Sequence, residues 1–420
     1  MLKILLLTSL LTITRAAPEC AHVGRNSQDV VCSAGSEDYV LRRGLVSDNN
    51  GTKTVTLRNC RITEVNYEAF HNLHSLTHID ISQNKLKRLR LGVLDGLSTV
   101  TNLNVSYNEI AAVPLGLFDK MPNLEVLDFR GNKLKTIKLG VFDPLRKLSY
   151  VDLSDNAIDS RNFSQYLFDK SKYVNRLDFS GNDMSDASDE LLHSFQNLEI
   201  LNLARCFFRE IPKFATATQM VTLKHMILSN NQIKLMNDTT VFVNLANLEI
   251  LDMNFNEITY MNEAVFKPLS KLKALTLRHN RISNLPQTIF QNFPKLNTLD
   301  LSHNEMVYIP VNAFRGSILR NLNLSDNRFT YLQNNFCLEL RNSGAKLTKF
   351  YFNDNPWQCA CLKELLDEVK KFNIEYNSAK YNGKVPVCVT NVQFVCKRQP
   401  DENEMFIELF NDKINEITHV

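Results

Sequence analysis

A pattern of period 24 governs this chain. Leu76, Ile79, Ile81, Asn84 and Leu86 follow the spacing LxxLxLxxNxL, which returns at Val100, Leu103, Val105, Asn108 and Ile110. It returns again at Leu124, Leu127, Phe129, Asn132 and Leu134, and at Leu148, Val151, Leu153, Asn156 and Ile158. Later units start at Val174, Leu198, Leu223, Leu248, Leu272, Leu296, Leu319 and Leu347. A weaker first one runs through Thr52, Val55, Leu57, Cys60 and Ile62, which makes thirteen. Repetition at this period is the mark of a chain that stacks small structural units on one another.

The residue types explain the period. Successive strand residues alternate faces, so the two apolar residues of each LxL core point inward and the residue between them points out. The chain must then turn. Asparagine at the ninth place has both a donor and an acceptor for backbone groups that the turn leaves unpaired. The pattern predicts a ladder of amides from Asn84, Asn108, Asn132, Asn156, Asn182, Asn231, Asn256, Asn280, Asn304, Asn327 and Asn355. It also predicts a convex side filled by Phe70, Leu94, Phe118, Phe142, Phe242, Phe266, Phe290, Phe314 and Phe336. No unit buries its apolar face alone, so each rests on its neighbours. The expected fold class is an α/β solenoid, curved, with a parallel β-sheet lining its concave side. Residues 159–173 lengthen the fifth unit and 336–346 the twelfth; each is either a plain bulge or a protruding loop able to bind.

Composition sets only broad bounds. The chain has 420 residues, 44% hydrophobic and 22% charged, enough to bury a large core, and a net charge of +3 argues for neither nucleic acid nor a membrane surface. Residues 1–17 read as a secretory signal peptide: Lys3, an apolar run from Ile4 to Ile13, and the small residues around Thr14, Arg15 and Ala16. No later stretch has the ~20 apolar residues of a membrane helix, and residues 411–420 lack the apolar tail of a lipid-anchor signal. The expected product is secreted and extracellular.

Nine cysteines divide by position. Cys359, Cys361, Cys388 and Cys396 follow Asn355, Pro356 and Trp357 and bracket a helical pattern of Leu362, Leu365, Leu366, Val369 and Phe372. An open solenoid end needs a cover, and disulfides brace a small one. Spacing leaves three pairings open, and a zinc site is the rival use. The NPWxCxC signature resembles the cysteine-bracketed C-terminal cap of extracellular leucine-rich-repeat proteins, such as Toll-like receptor ectodomains and small proteoglycans. The resemblance covers roughly residues 20–400. It implies a leucine-rich-repeat horseshoe with disulfide-braced caps and the pairs Cys359–Cys388 and Cys361–Cys396. Cys20 and Cys32 are expected to pair in a reduced N-terminal cap, where many relatives carry four cysteines. That sparse cap, with no membrane anchor, resembles the secreted leucine-rich-repeat immune proteins of insects, minus the long coiled coil that some of them carry. The expected organisation is signal peptide 1–17, N-terminal cap 18–51, repeats 52–355, C-terminal cap 356–400 and an amphipathic tail 401–420. In the tail Phe406, Leu409, Phe410, Ile414 and Ile417 suit a short helix that docks on the cap or on a partner.

Cys60 and Cys206 stand where the ladder otherwise has asparagine and read as inert buried thiols. Cys337 is left over, as a buried spare or as a handle for a disulfide-linked partner. Five sequons, at Asn50, Asn104, Asn162, Asn237 and Asn323, suit a secreted glycoprotein. Asn104 and Asn323 lie between the apolar residues of a strand, so glycans there would cover units three and twelve and leave the middle clear.

Partner binding is expected at the variable places of the concave face. Asp128, Asp152 and Asp178 form a column in units four to six, beside Arg130, Asp155 and Arg176. They suit a basic ligand or a cation, although aspartate at this place is also common in the repeat. In units seven to nine Ile200, Ile227, Ile250 and Phe255 are apolar on an otherwise polar face, with Arg205 and His225 beside them, which suggests a contact site. His279, His303 and Asp326 succeed one another at the eighth place and, as a sharper option, can bind zinc or titrate near pH 6. His71, His74 and His78 look metal-like in one dimension but span a turn and a strand. No metal site or cofactor is assigned.

No nucleophile–base set, phosphate-binding glycine loop or paired acids in a pocket is present, so an enzyme is not expected. The expected function is a secreted protein-binding recognition or adaptor protein, in innate immunity, whose partner is a protein or other extracellular macromolecule. The alternative is a matrix or cell-adhesion protein.

Overall fold

The computed structural model describes residues 17–23, 28–46, 51–381, 387–390 and 395–418, with side chains as far as Asp412 in the last segment. The expected signal segment up to residue 16, the sequon at Asn50 and the side chains of Ile414 and Ile417 lie outside the described residues. The chain falls into two compact units that divide after Val174, within the repeats.

The first unit opens with an antiparallel pair, Glu19–Val23 and Asp29–Ser33, whose register sets Cys20 opposite Cys32, and these two are disulfide-bonded. Asp29–Ser33 then runs parallel to Thr54–Thr56. Each following repeat adds one three-residue strand in parallel register: His78–Asp80, Asn102–Asn104, Val126–Asp128 and Tyr150–Asp152. The second unit repeats the arrangement with Arg176–Asp178, Ile200–Asn202, His225–Ile227, Ile250–Asp252, Ala274–Thr276, Thr298–Asp300, Asn321–Asn323 and Lys349–Tyr351. Among the described residues these are five and eight repeat strands, the thirteen units of the sequence pattern. The central residue of each strand is buried, from Val55 to Phe350, and its two neighbours point to the other face.

The asparagines do what the turn requires. Asn84 donates through Nδ2 to the carbonyls of Leu57 (2.8 Å) and Ile81 (3.0 Å), while its Oδ1 accepts from the amides of Cys60 and Ile62, both at 2.9 Å. Asn256 likewise donates through Nδ2 to the carbonyls of Leu228, Met253 and Asn254, while its Oδ1 accepts from the amide of Ile233. Each amide thus joins one repeat to the one before it. Cys60 and Cys206 hold ladder places and are buried; the Cys60 thiol donates to the carbonyl of Cys32 in the N-terminal pair (3.3 Å) and the Cys206 thiol to that of Phe179 in the preceding repeat (3.4 Å). A thiol supplies a weak donor and little acceptor capacity, so it performs part of the amide's task. Burial pushes the thiol of Cys60 up to about 11 and that of Cys206 up to about 12.

The return legs fill the side opposite the strands. In the second unit Phe242, Phe266, Phe290 and Phe314 stack at 5.9–6.2 Å between ring centres. In the first unit Phe70, Leu94, Phe118 and Phe142 hold the matching buried places.

The cap of the second unit departs from the loop expected at 336–346. Those residues form helix α1, Phe336–Asn342, which buries Phe336, Cys337 and Leu340. Helix α2, Cys359–Lys371, follows, and the disulfides are Cys359–Cys388 and Cys361–Cys396. Helix α3, Asn403–Thr418, packs Phe406 and Phe410 against Val389, and Thr330 donates to Asn403 at 2.6 Å, so the tail docks on the cap. The reading of Cys337 as a handle for a partner needs correction. It is 4% exposed, its amide donates to Glu368, and burial beside that carboxylate pushes its thiol upward, so it is a buried spare. Among the described residues no helix is long and apolar enough to cross a membrane.

Candidate partner-binding face

The open face of the strands gathers part of the expected site and disperses the rest. In the second unit the register sets Ile200 beside His225 and His225 beside Ile250, one column across three adjacent strands. Ile227 lies in the next column, between Asn202 and Asp252. All four residues are half-buried. With strands ~4.8 Å apart, this is a contiguous apolar block about two strand spacings wide with one imidazole set into it.

Arg205 and Phe255 do not join that block. Both occupy the eighth place, where the backbone is left-handed (φ 55° and 53°), and the turn carries their side chains into a different column. Phe255 is 45% exposed and stacks on His279 at 4.3 Å, and His279 stacks on His303 at 4.0 Å. Nδ1 of His303 meets the Asp326 carboxylate, and Arg278 lies 3.2 Å from its Nε2. Both ring nitrogens of His303 are therefore taken, which removes the donors that the zinc option requires. Burial, then the neighbouring His303 and Arg278, hold His279 below the usual histidine value, against the opposing pull of Asp326 and Asp300. His78 lies on a strand, with His71 and His74 in the turns before it.

The aspartate column also needs correction. In the first unit Asp128 and Asp152 are register partners, but Asp152 is 2% exposed. Its Oδ1 accepts from the amide (2.9 Å) and hydroxyl (2.6 Å) of Ser154, and its Oδ2 from the hydroxyl of Tyr150 (2.9 Å). Asp128 accepts from the amide of Arg130, whose guanidinium lies 3.7 Å from the carboxylate and 5.2 Å over the ring of Tyr107. Burial raises the Asp128 carboxyl, and Asp152 and Asp80 add to this while Arg130 opposes it. In the second unit Asp178 accepts from Ser180 and, at 2.7 Å, from Asn202. These carboxylates brace their own turns; a buried, fully bonded Asp152 cannot receive a basic ligand.

One element of the face was not anticipated. At the second place of successive repeats, just before each strand, Glu199 pairs with Lys224 and Glu249 with Lys273, both at 2.7 Å, an alternating rail beside the isoleucine block. The hydrogen bond from Lys273 holds the Glu249 carboxyl below its usual value. Its signal in the sequence was the alternation of charge at one repeat place. Of the expected sequons, Asn162 and Asn237 are exposed. Asn104 and Asn323 lie on strands as expected, half-buried; each Oδ1 accepts from the serine two residues on, and Asn323 also donates to Asp300 at 3.1 Å.

Comparison with known proteins agrees with this architecture. The family model described as leucine rich repeat matches residues 50–110, 98–158, 221–282 and 270–329, together just over half of the chain. No curated protein matches in sequence. Among solved structures, a leucine-rich-repeat protein of Leptospira interrogans is similar at 20% identity and a TM-score of 0.60, over 81% of this chain and 95% of the other. The TLR13–ssRNA13 complex is similar at 21% identity and a TM-score of 0.62, over 84% of this chain and 52% of that one. The Toll–Spatzle complex of Drosophila is similar at 18% identity and a TM-score of 0.58, over 84% and 58%. The chain thus spans little more than half the length of the TLR13 and Toll chains, and likeness at such identities speaks for the fold alone. Repeat register, amide ladder and family model coincide: this chain belongs to the leucine-rich-repeat family.

Proposed function

We infer that this chain is a secreted recognition or adaptor protein of innate immunity that binds an extracellular protein on the open face of its second unit. The observation that carries the reading is the contiguous block of Ile200, His225, Ile227 and Ile250 on three neighbouring strands. A half-buried apolar block ringed by charge is the usual form of a contact centre, because its burial is favourable and its rim excludes water. Phe255 and Arg205 extend the contact from the adjoining column. The fold is shared with TLR13 and Toll, each solved in complex with a ligand, and this lends weight to an immune role here. A protein ligand fits better than RNA. The Glu–Lys rail cancels its own charge, whereas a phosphate backbone needs uncompensated cations. Binding, with no catalytic step, is the whole activity in this reading.

The test is affinity capture from body fluid with the full secreted chain and with Ile227→Asp. The variant should lose the captured protein, by at least tenfold in yield, while its unfolding midpoint stays within error, since position 227 sits on the open face. Identical capture by both would place the contact elsewhere. Accumulation of the protein on infection supports the immune role, and steady deposition in tissue moves the assignment to adhesion.

A further inference from the structure

The first unit carries an exposed apolar ridge that its repeat pattern does not require. Tyr67, Leu91, Leu115 and Leu139 are 67%, 61%, 55% and 53% exposed. Each stands three places before a buried return-leg residue, Phe70, Leu94, Phe118 or Phe142, so the four are equivalent in consecutive repeats. In the second unit the places before Leu192, Phe242, Phe266 and Phe290 hold Asp189, Thr239, Glu263 and Gln287, all exposed and polar. The ridge is therefore a property of the first unit and not of the motif.

Its construction is specific. The residue after each ridge member has a left-handed backbone, Glu68 (φ 63°) and then Gly92, Gly116 and Gly140 (φ 84°, 89° and 88°). A Cβ on Gly92 would stand 3.2 Å from the ring of Tyr67, on Gly116 3.6 Å from Leu91, and on Gly140 3.3 Å from Leu115. Tyr67, Leu91 and Leu115 thus each lie across the glycine of the next repeat, and with Leu139, the residue before Gly140, they form one strip. Beside the glycines run Asp95, Asp119 and Asp143, with the Asp119 carboxylate 3.4 Å from the Cβ position of Gly116. Among the described residues none of these three aspartates is in an ion pair, whereas Arg90, just before Leu91, is matched by Glu64 at 2.7 Å. Along the glycine edge the three carboxylates outnumber the cations that adjoin the strip in sequence and, among the described residues, have no carboxylate partner, Lys120 beside Asp119 and Lys138 beside Leu139, so the edge is acidic on balance.

The geometry points to this ridge as a second docking surface, one that takes an amphipathic helix presenting one apolar side chain per turn and lysine or arginine alongside. The spacing supports it: equivalent return-leg residues of successive repeats stand 5.9–6.2 Å apart in the phenylalanine stack, so three repeat steps and three helical pitches of ~5.4 Å differ by roughly 2 Å, within reach of side-chain adjustment. Charge supports it too, since the aspartate edge favours a basic flank and opposes an acidic one. A contiguous exposed apolar strip on a soluble surface is the ordinary sign of such a contact. The ridge lies outside the strands of the first unit, and the proposal does not depend on the isoleucine block.

The test uses the full chain and two synthetic 18-residue helical peptides with the same leucine face, one flanked by lysine and one by glutamate, read by fluorescence anisotropy. The lysine peptide should bind, and the glutamate peptide at least tenfold more weakly. Leu91→Ser with Leu115→Ser should lose at least tenfold in affinity for the lysine peptide at an unchanged unfolding midpoint. Asp95→Asn with Asp119→Asn should lose several-fold and flatten the salt dependence. Equal binding of both peptides, binding of neither, or unchanged affinity in the serine variant overturns the proposal. So does concentration-dependent dimerisation of the chain, or flotation with phosphatidylcholine vesicles, that the serine variant abolishes, since either gives the ridge to a different occupant.

Discussion

The two units share a skeleton and differ in what they show to solvent. Both carry parallel three-residue strands, the amide ladder and buried return legs. In the first unit the open face is knitted together by Tyr107, Asp128, Arg130, Tyr150 and Asp152, which satisfy one another. There the apolar surface lies instead on the ridge from Tyr67 to Leu139. In the second unit the arrangement is reversed. The open face offers isoleucines and stacked rings, and the ridge places at Asp189, Thr239, Glu263 and Gln287 are polar. A repeat constrains only its inward positions, so each unit is free to place its contact surface on a different side.

Three experiments would break or sharpen this comparison. The largest effect is expected in the return legs. Phe266→Ala removes a ring that stacks on both neighbours and should cost about 3–5 kcal/mol in urea unfolding, while Leu94→Ala in the first unit should fall toward the lower part of a ~2–5 kcal/mol range. A costlier Leu94→Ala would mean that the aromatic stack adds nothing. Next come the ladders. Asn108→Ala and Asn256→Ala each strand buried carbonyls and amides and should each cost about 2–3 kcal/mol. Equal losses would establish one skeleton in both units, and a negligible loss in either would remove the amide from the account of that unit.

The smallest effect concerns His279, part of the stack peculiar to the second unit. Its folded value lies below that of the unfolded chain, ~6.5, because burial and then His303 and Arg278 oppose the charge. The neutral form is thus the one the fold favours. Its contribution is complete above pH ~6.5 and is lost as pH falls from there toward the lowered folded value. An NMR titration should find the midpoint of His279 below that of an unstructured histidine, and His303→Gln should raise it partway. A midpoint at or above ~6.5 would contradict the stacked geometry.

The inward half of the molecule was legible in the sequence. The spacing of Leu76, Ile79, Ile81 and Asn84 predicted strand, turn and ladder together, because a buried position accepts few residue types and so repeats its chemistry. The three disulfides follow the pairs expected from the cap's resemblance and from the two N-terminal cysteines. The block of Ile200, His225, Ile227 and Ile250 was legible for a related reason: strand alternation tells which face a residue meets. Arg205 and Phe255 read as part of the same block because the left-handed turn at the eighth place, which redirects their side chains, is marked by glycine only at Gly131 and Gly181 among the described residues. Strand alternation places Asp152 on the open face; its closure depends on Tyr150 and Ser154 converging on one carboxylate, an event set by rotamers.

The sequence by itself determined the repeat, its inward residues and the places where polar backbone must be satisfied, since periodic burial leaves a periodic record. Only the tertiary structure decided which outward side chains spend their polarity on one another and which remain open to a partner. Those choices rest on contacts across neighbouring repeats, some two dozen residues apart, where each side chain answers to a neighbour the linear pattern does not place beside it.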